Sequence, residues 1–445
     1  MILENFVKSS FCVNFAMQII NKLMTGLADC NNFFVSCERA VDPSLVGKAV
    51  VVLSNNDGCA IARSNEAKKL GVRMGQPTFE LRDLIASGRL IALSGNHILY
   101  RDMSLKVHDI FRRFVPRAID YSIDESFLDF SGVPDDALFL IGDQIRKACF
   151  EELSIPVTIG IGPTKTIAKI VTGLCKKTGQ SVMIVNGVGD VMPVYRDMPV
   201  HELWGIGRRI ARRLYAEGIY TVADFASRSL IWVRSKLGVN GERSWRELHG
   251  QPCIELEHVD RIMQDSVSES RTFAHDTDSF DYIRARISIY VADCARRLRA
   301  MKGQCRSISV FLRSNRFHTE RGYYAPQLTV RLERATADTT TLVDIATGIL
   351  KQIMIAGVKF KRAGVVLSDI VSSEAYTPSI FDMPVMDHKT GATSNNKPIS
   401  ETIDRINALT ETSKIKLASQ LTTGHPGHND GYSSSFAAPS TITDL

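Results

Sequence analysis

Asp124 and Glu125 are the residues of this chain best suited to chemistry, adjacent in Tyr121-Ser122-Ile123-Asp124-Glu125. They follow a short β-prone run and precede the apolar alternation Phe127-Leu128-Asp129-Phe130, which puts them at a turn between two strands. Neighbouring carboxylates repel and raise each other's pKa. A hard divalent cation relieves that repulsion, and Mg²⁺ takes oxygen ligands while keeping positions for phosphates. A third acid has a matching setting 95 residues upstream, where Asp29 ends Leu27-Ala28-Asp29 just before Asn31-Asn32-Phe33-Phe34. Three acids on two adjacent strands are what two-metal phosphoryl transfer needs. Taken alone, the same residues equally fit a solvated turn and a helix N-cap.

The elements needed to hold these acids are legible around them. Ala49–Leu53 reads as a buried strand, Ser64–Leu70 as a helix stopped by Gly71, and Leu90–Leu93 as another strand. Ile98–Phe114 has helical spacing, Ala118–Ser122 and Phe127–Phe130 form a hairpin, and Asp136–Leu153 is a helix. Val157–Ile161 is a strand and Thr164–Lys177 a Lys-rich helix. The order β-(insert)-α-β-β-α-β predicts a ferredoxin-like sheet with helices on one face, the insert running from Val35 to about Asn96. Short, Gly-punctuated helices follow to Gly250, and Gln251–Asp265 reads as a linker. A second β-α-β-β-α-β series occupies 266–369, so the chain is α+β and multidomain. Beyond Ser372 the composition turns to Ser, Thr, Asn and Pro, which predicts a tail without a core of its own, disordered over Thr422–Leu445.

Composition narrows the class. The 445 residues suffice for two to four domains, and no apolar run reaches the ~20 residues of a membrane span. A net charge of +6 favours an anionic partner. Nine scattered cysteines without a C-x-x-C pair argue against a disulfide framework and structural zinc, and point to a reducing cytoplasm. Residues 1–23 lack the cleavage site of a signal peptide and run almost directly into the Asp29 strand, which makes Met24 a candidate start.

Further motifs concern anions. Gly160-Ile161-Gly162-Pro163-Thr164-Lys165 links a strand to a helix and could present backbone N–H groups to a phosphate, with Lys165 beside it. The bland alternative is an ordinary βα turn carrying a surface lysine. Of Phe33 and Phe34, one ring can enter the core while the other walls a nucleotide sugar and excludes a 2′-hydroxyl. Two core phenylalanines are the alternative. Val200–Ala211 matches a helix-hairpin-helix pattern in which Gly205 and Gly207 let amides approach a DNA phosphate without reading bases. Arg296, Arg297, Arg299 and Arg306 cluster in the second series and suit phosphate contact, or else form a solvated basic face.

Together these residues resemble the Y-family (translesion) DNA polymerases, particularly the UmuC-type catalytic subunits. The resemblance spans about Met24–Asp369 and is strongest over Val50–Arg63, Tyr121–Glu125 and Gly160–Lys169. It implies an error-prone polymerase of the SOS response that extends a primer opposite damaged template. It implies two Mg²⁺ ions on Asp29, Asp124, Glu125 and the main-chain carbonyl of Cys30, with Phe34 as steric gate beside Phe33. Arg63, Lys68 and Lys165 would hold the incoming triphosphate. The palm would be 24–34 and 97–186, the fingers 35–96, and the thumb 187–257. A linker at 258–264, a little finger at 265–369 and a tail at 370–445 would follow. Partners implied are primed DNA, deoxynucleotides, a UmuD′-type dimer and a RecA filament. The family's sliding-clamp peptide carries Gln and a Leu-Phe pair. Here the nearest match, Ser379-Ile380-Phe381, has no Gln, and Thr422–Leu445 replaces the family's Trp- and Arg-containing ending.

Two other classes compete. A nucleotidyl cyclase can use a similar sheet and acids, but has no need of a helix-hairpin-helix or a basic second unit. A non-catalytic DNA scaffold has no need of three metal-binding acids. Primer extension with and without Mg²⁺ separates the three.

Overall fold

The alternation read around Asp29 produces a central strand. The structure, a computed structural model, describes residues 23–54, 57–255, 264–317, 322–373, 397–409 and 415–421. The N-terminal extension, most of the linker, the Ser379-Ile380-Phe381 peptide and the ending after Leu421 lie outside them. The chain divides into two compact units, one holding the described residues up to 255 and the other those from 264 onward.

The first unit starts with β1 (Thr25–Cys30) and α1 (Phe33–Val41). The predicted insert follows as β2 (Val50–Leu53), β3 (Ala60–Arg63), α2 (Asn65–Lys69), α3 (Arg82–Ala86) and β4 (Ile91–Ser94). Its three strands form their own sheet around β2, whose four residues are all buried, so the insert carries a separate small core. Strand β3 was not expected.

The chain then returns through α4 (His97–Phe114), β5 (Ala118–Asp120), β6 (Glu125–Asp129), α5 (Asp135–Leu153), β7 (Val157–Gly162), α6 (Lys165–Thr178) and β8 (Val182–Ile184). The sheet order is β5-β6-β1-β7-β8. Its first four strands have the ferredoxin-like arrangement, with β1 between β6 and β7 and antiparallel to both. Glu125 opens β6 rather than sitting in the preceding turn.

Side-chain alternation gives the sheet two covered faces. Ala28, Leu128, Ile159 and Ile161 pack with Tyr100 and Phe111 of α4 and Ile145 of α5. Leu27 and Phe127 point the other way and meet Ala168 of α6. Helices are therefore on both faces, not one, because α6 lies outside the β-α-β-β-α-β series and covers the side left bare by α4 and α5.

The remaining helices of this unit are α7 (Val188–Asp197), α8 (Arg208–Ala216), α9 (Val222–Ala226) and α10 (Leu230–Leu248). They pack around Tyr195, Leu203, Leu214 and Phe225, and share that core with Ile167, Ile170 and Val171 of α6.

The second unit runs β9 (Ser266–Thr277), α11 (Phe280–Ala300), β10 (Gly303–Ser314), β11 (Gln327–Thr336), α12 (Thr339–Ile353) and β12 (Phe360–Ser372). The element series matches the expectation, but the strand order is β11-β10-β12-β9, antiparallel throughout. The first strand lies at the edge here and at the centre in the first unit.

The tail holds a further element, α13 (Lys397–Ala408), which the reading of a tail without a core of its own did not include. Arg299 of α11 grips Asp404 through two bonds of 2.7 and 2.9 Å, and the Ser400 hydroxyl donates to Asp338 at 3.1 Å. Leu417 packs on the unit's core. Composition concealed this helix because its ties are polar bonds to residues more than sixty positions away, which leave no local mark.

Candidate active site

The antiparallel register sets the three acids side by side. Asp29 lies opposite Glu125 across the β1–β6 ladder, and the Cys30 amide donates to the Asp124 carbonyl at 2.9 Å. Ser122 organises the turn: its hydroxyl donates to Asp124 at 2.6 Å and accepts from the Glu125 amide at 3.1 Å. Both outer acids face α6, because Asp29 shares a face with Leu27, and Glu125 with Phe127.

Helix α6 meets them with cations that sequence reasoning missed. Lys169 donates to Glu125 at 2.6 Å, and Lys176 pairs with Asp29. On the page these lysines read as a solvated helix face; seven residues apart, about two turns, they share one side of the helix. Burial pushes the Asp29 carboxyl up to about 6 against the opposing pull of Lys176, and the charges of Glu125 and Asp124 add to the rise. The three carboxylates thus sense one another.

A hard cation suits this donor set of carboxylate oxygens. As they stand, no three acidic, Cys or His side chains among the described residues are gathered tightly enough to hold a metal. Glu125 and Asp29 are turned onto lysines and Asp124 onto Ser122.

The expected phosphate turn is built for something else. Gly160 and Gly162 are buried strand residues. A Cβ on Gly160 would lie 2.2 Å from the Thr172 nitrogen, and one on Gly162 would lie 2.7 Å from Ile167 Cγ2. The glycines let α6 press onto β7. The helix N-terminus already has its anion: buried Glu247 accepts from the Thr166 amide at 2.9 Å, and the Thr164 hydroxyl donates to the Glu247 carbonyl at 2.9 Å. Lys165 begins this sealed turn, while the lysines touching the acids lie about one and about three turns further along.

Lys68 lies within the electrostatic reach of Asp29, and Arg63 within that of Lys68. Lys68 donates to the Asn32 side chain at 2.6 Å. Its ammonium is held below the usual lysine range by burial and by the charges of Arg63 and Lys176, with Asp29 opposing. Arg63 donates to the Val72 carbonyl at 2.7 Å and keeps its Nε buried without a partner.

Phe33 is buried, and Phe34 is half-buried at the edge of the same core. The Phe34 ring stacks on Tyr100 and meets His97 edge-on at 5.8 Å.

In the helix-hairpin-helix, Gly205 has φ +87°, which an L side chain rarely adopts, and exposed Gly207 caps α8. Exposed Arg208, Arg209 and Arg212 follow on that helix.

The arginines of the second unit separate. Arg306 is exposed. Arg297 donates to the Ser268 carbonyl and lies 3.5 Å from Glu269, and Arg296 lines a cavity with Asp293 under α13. Arg299 is spent on Asp404, the Ala337 carbonyl and Thr339, with only 8% of its side chain exposed. The expectation that Arg299 contacts DNA phosphate is corrected: it anchors the tail helix.

This geometry agrees with comparisons to known proteins. The architecture matches a solved Y-family DNA polymerase chimera of Dbh and Dpo4 with a TM-score of 0.64 at 19% identity, over 78% of this chain and 99% of that one. A Dbh ternary complex matches over the same shares with a TM-score of 0.52. The chain belongs to the impB/mucB/samB family, whose models match residues 28–173 and, for the C-terminal domain, 264–380. It is 34% identical to protein UmuC of Salmonella typhimurium, covering 89% of this chain and 93% of the relative. Protein MucB of Escherichia coli is also 34% identical, over 81% and 86%. DNA polymerase IV of Treponema denticola is 30% identical, over 65% and 73%. The expected UmuC-like, Y-family translesion DNA polymerase is thereby borne out, with error-prone lesion bypass in SOS mutagenesis as its function. No helix among the described residues is long and apolar enough to cross a membrane.

Proposed function

We propose that Asp29, Asp124, Glu125 and the main-chain carbonyl of Cys30 form a two-Mg²⁺ site that adds deoxynucleotides to a primer opposite damaged template. The observation that carries this reading is the register placing Asp29 opposite Glu125, with Asp124 bonded through its carbonyl to Cys30. When bound, the metals stabilise the attacking and leaving oxygens of an in-line displacement. The chain's own side chains do the rest. Lys169 and Lys176 keep the carboxylates neutralised until they are needed. Lys176, once freed from Asp29, is placed with Arg63 and Lys68 to receive a triphosphate; Lys165 has a lesser part. Phe34 walls the sugar and Phe33 anchors that wall in the core.

In this reading residues 24–34 and 97–186 are the palm, 35–96 the fingers, 187–257 the thumb and 265–369 the little finger, joined by a linker at 258–264. Gly205 and Gly207 present amides to the backbone of primed DNA, assisted by Arg208 and Arg209. Arg306 stays a candidate phosphate contact, with weaker cases for Arg296 and Arg297. A UmuD′-type dimer and a RecA filament are the partners, in the cytoplasm. Primer extension across an abasic site, with Mg²⁺ and with EDTA, tests the reading: no extension by pure protein with Mg²⁺ and its partners would overturn it.

A further inference from the structure

Trp204 immediately precedes Gly205 in the hairpin, and its indole packs against Leu27 and Phe127 of the strands that carry the acids. Its Nε1–H donates to the Tyr121 hydroxyl at 2.9 Å, and the two rings meet edge-on with centroids 5.5 Å apart. Phe127 closes the cluster at 5.4 Å from Tyr121 and 5.7 Å from Trp204. Lys169 lies over the Tyr121 ring, its ammonium 5.0 Å from the centroid, while the same ammonium holds Glu125 at 2.6 Å. The Tyr121 amide donates to the Glu125 carbonyl at 3.0 Å. A continuous series of contacts thus runs from a residue next to Gly205 to a carboxylate of the acid cluster.

We propose that Trp204 and Tyr121 are positioning residues that couple the DNA-backbone hairpin to Glu125 through Lys169. The proposal rests on the reading of Glu125 as a metal-binding acid. Lys169 occupies Glu125 and must yield it. The Tyr121 face, already 5.0 Å from the ammonium, can keep it when Glu125 is released, since a cation is attracted to an aromatic ring within about 6 Å of its centroid. Phe127 packs against that ring, and the Trp204 bond to the Tyr121 hydroxyl sets its remaining orientation. A shift of the hairpin on DNA therefore changes how readily Glu125 becomes available. Simple packing would need the rings but not the N–H···O bond, and this difference makes the proposal testable.

The experiment uses the full chain with Trp204→Phe, Tyr121→Phe and both together, each of which keeps a ring in place. Single-turnover addition to primed DNA is measured across Mg²⁺ concentrations. Each single variant is expected to raise half-saturating Mg²⁺ about threefold to tenfold, the worth of one hydrogen bond, and the double variant no further. Melting temperature stays within about 2 °C of the parent, and primer–template affinity in Ca²⁺ within about twofold, because the ring packing is retained. A second readout needs no turnover. With a dideoxy-terminated primer and the next nucleotide present, the Trp204 emission, taken as parent minus Trp204→Phe, shifts as Mg²⁺ is added. In Tyr121→Phe that shift is lost. Additive losses, an unchanged Mg²⁺ requirement, or Trp204 emission indifferent to Mg²⁺ would overturn the coupling. Glu125→Gln separates the two layers. If it extends primers, the acid assignment fails and the coupling with it. If it is inactive while Trp204→Phe and Tyr121→Phe behave as the parent, only the coupling fails.

Discussion

Phe34 stacks on Tyr100 with ring centroids 4.3 Å apart and planes 14° from parallel. Tyr100 is itself immobilised, since its hydroxyl donates to buried Glu38 at 2.5 Å. The gate proposed at Phe34 needs a ring that cannot yield, and this backing would supply the stiffness. Phe34→Ala should raise ribonucleotide incorporation relative to deoxyribonucleotide by at least about tenfold, as expected when a steric clash worth over about 1.4 kcal/mol is removed. Phe33→Ala should instead cost about 3–5 kcal/mol of stability, as a cavity in the core. Competition between the two sugars in primer extension, beside chemical denaturation, checks both; unchanged sugar selection in Phe34→Ala would remove the gate assignment.

Loss of charge at the acids should separate chemistry from binding. Asp124→Asn and Glu125→Gln are each expected to reduce extension by at least about a thousandfold, within the several kcal/mol that metal-borne charge stabilisation supplies. Primer–template affinity should stay within about threefold. Fluorescence anisotropy and a radiolabelled primer measure the two quantities, and near-normal extension by either variant would end the two-metal reading.

The seal on α6 makes a prediction about stability rather than catalysis. Glu247 also accepts from the Cys253 and Ile254 amides at 3.0 and 3.1 Å. Glu247→Ala would strand one buried and two part-buried amides and should cost about 1–3 kcal/mol in denaturant titration. Lys165→Ala, on the same turn, should change triphosphate affinity far less than Lys176→Ala. A larger effect for Lys165→Ala would restore the glycine turn as a phosphate cradle.

These contrasts show what the chain's letters reveal. Asp29, Asp124 and Glu125 were legible as neighbours through the strand pattern around them, although alone the same acids fit a solvated turn and a helix N-cap equally well. Lys169 and Lys176 were not, since a lysine at helical spacing looks the same in solvent or on a carboxylate. The glycine turn misled for a different reason. Glycines before a helix serve close packing as readily as anion binding, and the deciding residue, Glu247, lies more than 80 positions away. In the second unit the element series was legible but the strand order was not, because register between distant strands leaves no local mark.

DNA holding should follow the hairpin rather than the Arg299 cluster. Arg208→Ala with Arg209→Ala should weaken binding about equally across sequences and reduce the salt slope by about one to two. Arg299→Ala should leave that slope unchanged. It should lower stability by about 1–3 kcal/mol, less than the ~3–5 for a fully buried pair because Asp404 is a quarter exposed. Salt titrations of binding to two unrelated duplexes, with melting curves, decide the matter. A reduced slope in Arg299→Ala would return that residue to the DNA.

The tail can be cut in two places with opposite expectations. Leu417 is the last described side chain packed against the second unit's core, and Arg299 and Asp338 are tied to α13. Truncation after Leu421 removes nothing that packs in the described structure. It should leave the melting temperature and distributive primer extension at parent values. Truncation after Ser373 removes α13 and Leu417 together. It exposes the Arg299 guanidinium and the apolar side chains beneath the strap, including half-buried Ile289. Losing one such ion pair and that burial should lower stability by about 2–4 kcal/mol. If the replaced ending has lost a partner contact, the full-length chain and the Leu421 truncation should respond equally weakly to a UmuD′-type dimer and RecA. Melting curves and primer extension of the three proteins, with and without those partners, test each part. Strong stimulation confined to the full-length chain would show that Thr422–Leu445 carries the contact, and an undisturbed melting curve for the Ser373 truncation would show that α13 contributes nothing to the fold.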